Sequence, residues 1–277
     1  MATWNLNSLR ARLDAVARFV DRTRPDVLCL QETKADRLSE EAATWFERSG
    51  YHVTHVGAGS YNGVAVATTG PQFDVVGSGA FDDEALDREA RVLSVAVATP
   101  EPLRLVSVYA PHGRTVDHWH YRFKLAFFEA LSSRVRDWLA DDRHVVLAGD
   151  INVAATDSDV FHPDAFRGAT HVTGPERAAL VRLLGTGLVD LDVARWGPRA
   201  RRFTWWNHGL GYARNLGMRI DLIASDKELA TRLDTTWIDH AGRSAERPSD
   251  HAALVADFHH RGRGARRPSR PGVQSPV

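Results

Sequence analysis

Val145-Val146-Leu147-Ala148-Gly149-Asp150-Ile151-Asn152 is the stretch on which the reading of this chain turns. A short apolar run followed by glycine and polar residues suits a buried strand and its abrupt end. An acid directly behind such a strand stands where α/β proteins gather ligand groups, outside the strand ends. The pattern recurs at Val27–Leu30 with Gln31-Glu32 behind it, and at Leu105–Val108 with Tyr109-Ala110-Pro111-His112. Two variants accompany it. Met218-Arg219-Ile220-Asp221 carries its acid inside an apolar strand, and Ser249-Asp250-His251 places a polar pair before one. Taken singly, each acid also reads as a turn former or cap. Five such places in one chain point to a single site.

Between these strands the apolar period lengthens. Leu9, Leu13, Val16, Ala17 and Val20 recur at helical spacing, which predicts an amphipathic helix over 8–23, ended by Pro25-Asp26. Ser39-Glu40-Glu41 has the form of an N-cap with acids in the first turn, opening a second helix. Further helices are expected at about 117–140 and 175–184, and further strands at 63–68, 92–98, 103–109, 220–224 and 252–258. Alternating elements of this kind predict a layered α/β architecture with sheets inside and helices outside. Residues 1–259 form the expected domain. Residues 260–277 are rich in Arg, Gly, Pro and Ser, bury too little to order themselves, and read as a basic disordered tail.

A hydrophobic content of 43% fits a globular protein. No apolar run is long enough to cross a bilayer, and no secretory signal is visible at the N-terminus. The single cysteine, Cys29, excludes an intramolecular disulfide framework and sits in an apolar run, so a buried small side chain is expected. These features point to the cytosol. Net charge is zero, yet the tail holds five arginines and no acid, so the rest of the chain carries an equal acidic excess. A nucleic-acid partner would therefore have to meet local basic patches around an acidic centre.

Glu32, Asp150 and Asp250 offer hard oxygen donors, suited to Mg²⁺ or Mn²⁺ rather than zinc. Phosphodiester cleavage needs a positioned water, neutralised phosphoryl oxygens and a stabilised leaving oxygen. Carboxylates, a metal, an Asn amide, a Tyr hydroxyl and a His supply these without a covalent nucleophile. Asp221 within an apolar strand needs a partner if buried, and a histidine such as His251 would serve, with a raised pKa. A Ser-His-Asp hydrolase competes for that dyad, but the chain lacks G-x-S-x-G and Ser249 is too near His251 along an extended strand. His118 and His120 read as surface or capping residues. Arg199, Arg201, Arg202, Arg214 and Arg219 interleave with Phe203, Trp205, Trp206 and Tyr212, a mixture suited to phosphates and bases, although a Trp-anchored core loop reads the same way.

These blocks, in order, resemble the exonuclease III / apurinic/apyrimidinic (AP) endonuclease family. Trp4-Asn5-Leu6-Asn7-Ser8-Leu9-Arg10 is similar to its opening block, and Leu30-Gln31-Glu32-Thr33-Lys34 to its second. Tyr109–Gly113, Gly149–Asn152, Arg219-Ile220-Asp221 and Ser249-Asp250-His251 are similar to the rest, so the likeness runs from Thr3 to about Phe258. Gly-Asp-x-Asn and Ser-Asp-His are shared across a wider endonuclease/exonuclease/phosphatase superfamily; the second block with Arg-Ile-Asp-Leu-Ile narrows it to the DNA-repair branch.

The resemblance implies a four-layer α/β sandwich of two packed mixed sheets flanked by helices. It implies a monomer acting on double-stranded DNA with abasic sites, nicks or 3′ ends. Glu32 would be the principal Mg²⁺ ligand, with Asp250 nearby, Asn7 where some relatives carry an acid, and Asp150 and Asn152 also facing the metal. Asp150 would orient and deprotonate the attacking water, and Asn5 would hold Asp150. Asn152 would hydrogen-bond the phosphoryl oxygen. Tyr109 and His251 would contact the scissile phosphate, the latter oriented by Asp221. Trp205, Met218 and Ile220 would line a pocket for a flipped-out abasic sugar; Arg202 and Arg219 are expected on phosphates from residue type alone. Many bacterial relatives have Gln after Tyr-Phe-Pro; here His112 takes that place and would probe the DNA groove. Few residues precede Trp4, so either the true start lies upstream or the first, edge strand is short. A metal-dependent enzyme acting on a small phosphoester, and a non-catalytic DNA-binding relative, are the competing readings.

Overall fold

The computed structural model describes residues 1–70, 75–79, 81, 83–98, 101–207, 209–244 and 247–259, and the expected basic tail lies outside the described residues. In its first half the chain runs β1 (Ala2–Asn5), α1 (Leu9–Thr23), β2 (Val27–Gln31), α2 (Glu40–Arg48), β3 (Tyr51–Ala58), β4 (Tyr61–Thr69), β5 (Val75–Gly79), α3 (Glu84–Asp87), β6 (Val92–Val97) and β7 (Leu103–Tyr109). It continues through α4 (Trp119–Asp141), β8 (His144–Asp150), α5 (Gly174–Leu184), β9 (Leu188–Asp190), α6 (Leu191–Trp196), β10 (Trp205–Trp206) and β11 (Gly217–Met218). It ends with β12 (Asp221–Asp226), α7 (Lys227–Ala230), β13 (Leu233–Asp239) and β14 (Ala253–Phe258).

The strands form two six-stranded sheets, in the orders β13-β14-β1-β2-β4-β3 and β5-β6-β7-β8-β12-β9, beside a small β10-β11 pair. Alternation along each strand feeds separate cores. Leu28 and Leu30 of β2 face α1 and α2, while Val27 and Cys29 face the other sheet. Val145 and Leu147 of β8 face α4 and α5, while Val146 and Ala148 point between the sheets. The result is four layers, helix–sheet–sheet–helix, as the resemblance implies. Cys29 is fully buried, as expected, and its thiol is pushed up to about 12 by that burial.

Each sheet has one parallel pair at its centre, β1 with β2 and β7 with β8; their other pairings are antiparallel. Parallel neighbours finish at the same end, so Asn5 pairs in register with Gln31 and Tyr109 with Asp150. β12 and β14 run the opposite way and bring their first residues to that end, with Asp221 opposite Asp150. This explains why two of the polar blocks precede or begin their strands instead of following them. The short first strand is not an edge strand: β1 lies between β14 and β2.

Helix ends follow local chemistry. Ser8 caps α1, which ends at Arg24 in a left-handed conformation. Thr173 and Glu176 form a reciprocal capping box on α5, with Pro175 in its first turn.

Candidate active site

Asn5, at the end of β1, ties the two sheets together. Its Nδ2 donates to Glu32 Oε1 and to Asp150 Oδ2, each at 2.9 Å. Glu32 follows β2 with φ +48°, and Asn152 follows β8 with φ +52°. Non-glycine residues in this region are held there by their surroundings. On one rim, Lys34 Nζ lies 3.0 Å from Glu32 Oε2 and donates to Asn7 Oδ1 at 2.5 Å. Asn7 Nδ2 in turn donates to Asp250 Oδ1 at 3.2 Å, and Trp205 Nε1 donates to Asp250 Oδ2 at 3.0 Å.

Asp150 is buried and surrounded by donors. Besides Asn5, the Asn152 N–H donates to its Oδ1 at 2.9 Å, and His251 Nε2 stands 3.6 Å from its Oδ2. The other ring nitrogen of His251 lies 2.8 Å from Asp221 Oδ2, which assigns the hydrogen to Nδ1. Burial alone would lower the imidazole's pKa. Asp221, Asp150 and Asp250 together outweigh it and raise His251 to about 10. Burial, reinforced by Asp221, raises Asp150 to about 7 against the opposing pull of His251, Asn5 and the Asn152 N–H. The site thus holds an imidazolium next to a carboxylate poised near neutrality.

Ser249 does not complete a nucleophilic triad. Its Oγ donates to the Asn5 carbonyl at 2.7 Å and accepts from the His251 backbone N–H at 3.2 Å. Tyr109 is pushed well above its ordinary value by burial and by the charges of Glu32 and Asp150, so its hydroxyl remains a donor. The Arg91 guanidinium lies 4.8 Å from the centre of its ring.

The expected DNA residues divide. Trp205 is half-buried on Asp250, and His112 is exposed, its ring meeting His171 edge to face at 4.5 Å. Met218 and Ile220 are buried in an apolar cluster with Ala154 and Val160, and the partly buried Trp205 packs against it. Arg219 corrects the sequence reading. It is buried, with Nε on Asp159 at 2.6 Å and Nη1 on Asp190 at 2.8 Å, and these pairs engage the guanidinium that was expected on phosphate. Arg202 is likewise engaged, with Nε 3.1 Å from both oxygens of Asp192 and its guanidinium over Trp196. His118 caps α4 as expected, but His120 is buried and accepts from the Gly113 N–H.

The polar oxygens also bear on a cation. Asn7 bonds Asp250 directly, and the Lys34 ammonium that it accepts also pairs with Glu32. Among the described residues no three acidic, His or Cys side chains gather closely enough to enclose an ion. Carboxylate and amide oxygens such as these are hard donors of the kind that suit Mg²⁺ or Mn²⁺.

Four likenesses accompany this geometry. The endonuclease/exonuclease/phosphatase family matches residues 2–251. The chain is 30% identical to an exodeoxyribonuclease III of Haemophilus influenzae, over 92% of this chain and 98% of that one. Among solved structures it resembles a Neisseria 3′-phosphatase bound to a product DNA hairpin, with TM-score 0.87, 32% identity, and 94% and 98% of the two chains covered. An AP endonuclease from Archaeoglobus fulgidus superposes with TM-score 0.83 at 33% identity, covering 93% and 98%. The chain belongs to the endonuclease/exonuclease/phosphatase family, in its exonuclease III / AP endonuclease branch of DNA-repair nucleases.

Proposed function

We propose that this protein is a Mg²⁺-dependent DNA phosphodiesterase that acts as a monomer, hydrolyses the backbone 5′ to abasic sites, and removes nucleotides or blocking groups from 3′ ends of duplex DNA. The observation that carries this reading is Asp150, a buried carboxylate offered only donors, with the His251 imidazolium 3.6 Å away. A water between Asp150 and the phosphate would lose its proton to a base whose pKa matches neutral pH. Charged His251, the Tyr109 hydroxyl and the Asn152 amide would face the phosphoryl oxygens as negative charge grows. Mg²⁺ bound at Glu32 would neutralise phosphate charge.

Exposed Tyr61, Trp119 and Leu210 would offer a duplex apolar contact, and exposed Arg114, Arg201 and Arg214 would offer charge. The likeness to the Neisseria 3′-phosphatase supports 3′-end processing as a second activity of the same phosphate site. Offering the protein an abasic duplex, a nicked duplex with a 3′-phosphate and a panel of soluble phosphoesters tests this. Turnover confined to the soluble phosphoesters would replace it with a small-molecule phosphatase.

A further inference from the structure

Asn152 has its backbone N–H and carbonyl and its side-chain Nδ2 all engaged. Its N–H donates to Asp150 Oδ1, its Nδ2 donates to the Ala110 carbonyl at 2.9 Å, and its own carbonyl accepts from Lys124 Nζ at 2.7 Å and from His171 Nδ1 at 2.6 Å. Lys124 lies on α4 with its side chain fully enclosed. An ammonium has three hydrogens to donate. Lys124 gives them to Asn152 O, to His112 O at 3.3 Å and to Glu176 Oε1 at 2.5 Å.

Glu176, equally enclosed, is complete as well. Its Oε1 also accepts from Thr170 Oγ1 and the His171 N–H, and its Oε2 from the Thr173 N–H and Oγ1. A buried ion pair is a poor source of stability, because desolvation cancels most of the attraction and apolar side chains would pack as well. What this pair does that apolar side chains could not is hold the carbonyls of two loops, one after β7 and one after β8. A left-handed residue needs such constraint to persist.

We propose that Lys124 is a positioning residue: its ammonium, balanced by Glu176, clamps the Asn152 carbonyl and so fixes the turn that sets Asn152 against Asp150. The kinetic consequence rests on the proposed function; the clamp itself does not. Lys124→Met leaves Glu176 buried without a counter-ion and is expected to lower Tm sharply. Adding Glu176→Gln removes the second charge at nearly constant volume and is expected to restore most of that Tm. The clamp remains broken in the double variant. Its kcat on abasic or 3′-phosphate duplex is therefore expected to stay roughly 10- to 100-fold below wild type, the usual penalty for a misplaced group, with KM little changed. Hydrogen exchange of the Asn152 amide, measured relative to core amides of β7, is expected to quicken. Recovery of kcat together with Tm would overturn the inference, as would an Asn152 amide exchanging as slowly as in wild type. A wild-type protein that cuts neither duplex would sink the proposed reaction instead, and the amide exchange would then decide the clamp alone.

Discussion

His251 Nδ1 lies 2.8 Å from Asp221 Oδ2, with both side chains shut off from solvent. That contact sets the charge of the site, since Asp221 is the foremost of the groups that raise the imidazole to about 10 from an ordinary 6.5. A group whose pKa rises on folding stabilises fully below its unfolded value and loses that contribution as pH climbs through its folded value. His251 should therefore withdraw stability between about pH 6.5 and 10. Asp221→Asn is expected to flatten that alkaline loss in urea unfolding with EDTA present. An unchanged slope would show that His251 is neutral in the folded protein.

Asp150 rises from 3.8 to about 7, chiefly through burial, so it too withdraws stability as pH climbs, between about pH 4 and 7. A base works only when deprotonated. The acidic limb of kcat/KM is therefore expected near pH 7, with activity falling as protons are added. Asp150→Asn places an NH₂ group among donors only, and is expected to cost roughly 10²- to 10⁴-fold in kcat, the range of a lost general base. A pH profile flat from 5 to 8 would remove Asp150 from proton transfer.

Glu32 carries the expected cation demand. Glu32→Gln keeps the acceptor for Asn5 and removes the charge. The Mg²⁺ concentration for half-maximal activity should rise at least about tenfold, equivalent to roughly 1.4 kcal/mol. An unmoved titration would place the ion elsewhere.

Trp205 joins two expectations, because its indole N–H rests on Asp250 while its ring borders the Met218/Ile220 cluster. Trp205→Ala should weaken discrimination for abasic over intact duplex by about 1–3 kcal/mol, the usual worth of a stacking aromatic, and should raise the Mg²⁺ requirement. Trp205→Phe should restore stacking alone. Equal losses on both duplexes would mark the residue as structural.

The polar groups behind strands were legible because a buried strand end leaves its next side chain at the sheet margin, wherever the strand lies. Hence Glu32, Tyr109, Asp150, Asp221 and His251 could be read from local pattern, and the structure brings them to one end of the sandwich. The long helices were legible within a residue or two. β3 and β13 were not, because half-buried strands with Thr and His show no clean alternation. Arg219 and Arg202 misled because a sequence shows charge without its partner: Asp159 and Asp190 lie 60 and 29 residues from Arg219. Lys124 and Glu176 escaped for the same reason, being 52 residues apart and ordinary in any helix. His171, at φ +79°, lies in an irregular loop with no periodicity to mark it.

The central claim meets its most direct test in a single gel assay. Purified protein is given a synthetic duplex bearing one abasic site and a second bearing a 3′-phosphate at a nick, with Mg²⁺, with EDTA, and with Asp150→Asn in place of wild type. Cleavage 5′ to the abasic site or release of the 3′-phosphate is expected with Mg²⁺ alone, and neither with EDTA or the variant. Hydrolysis of either duplex at the wild-type rate by Asp150→Asn would contradict it.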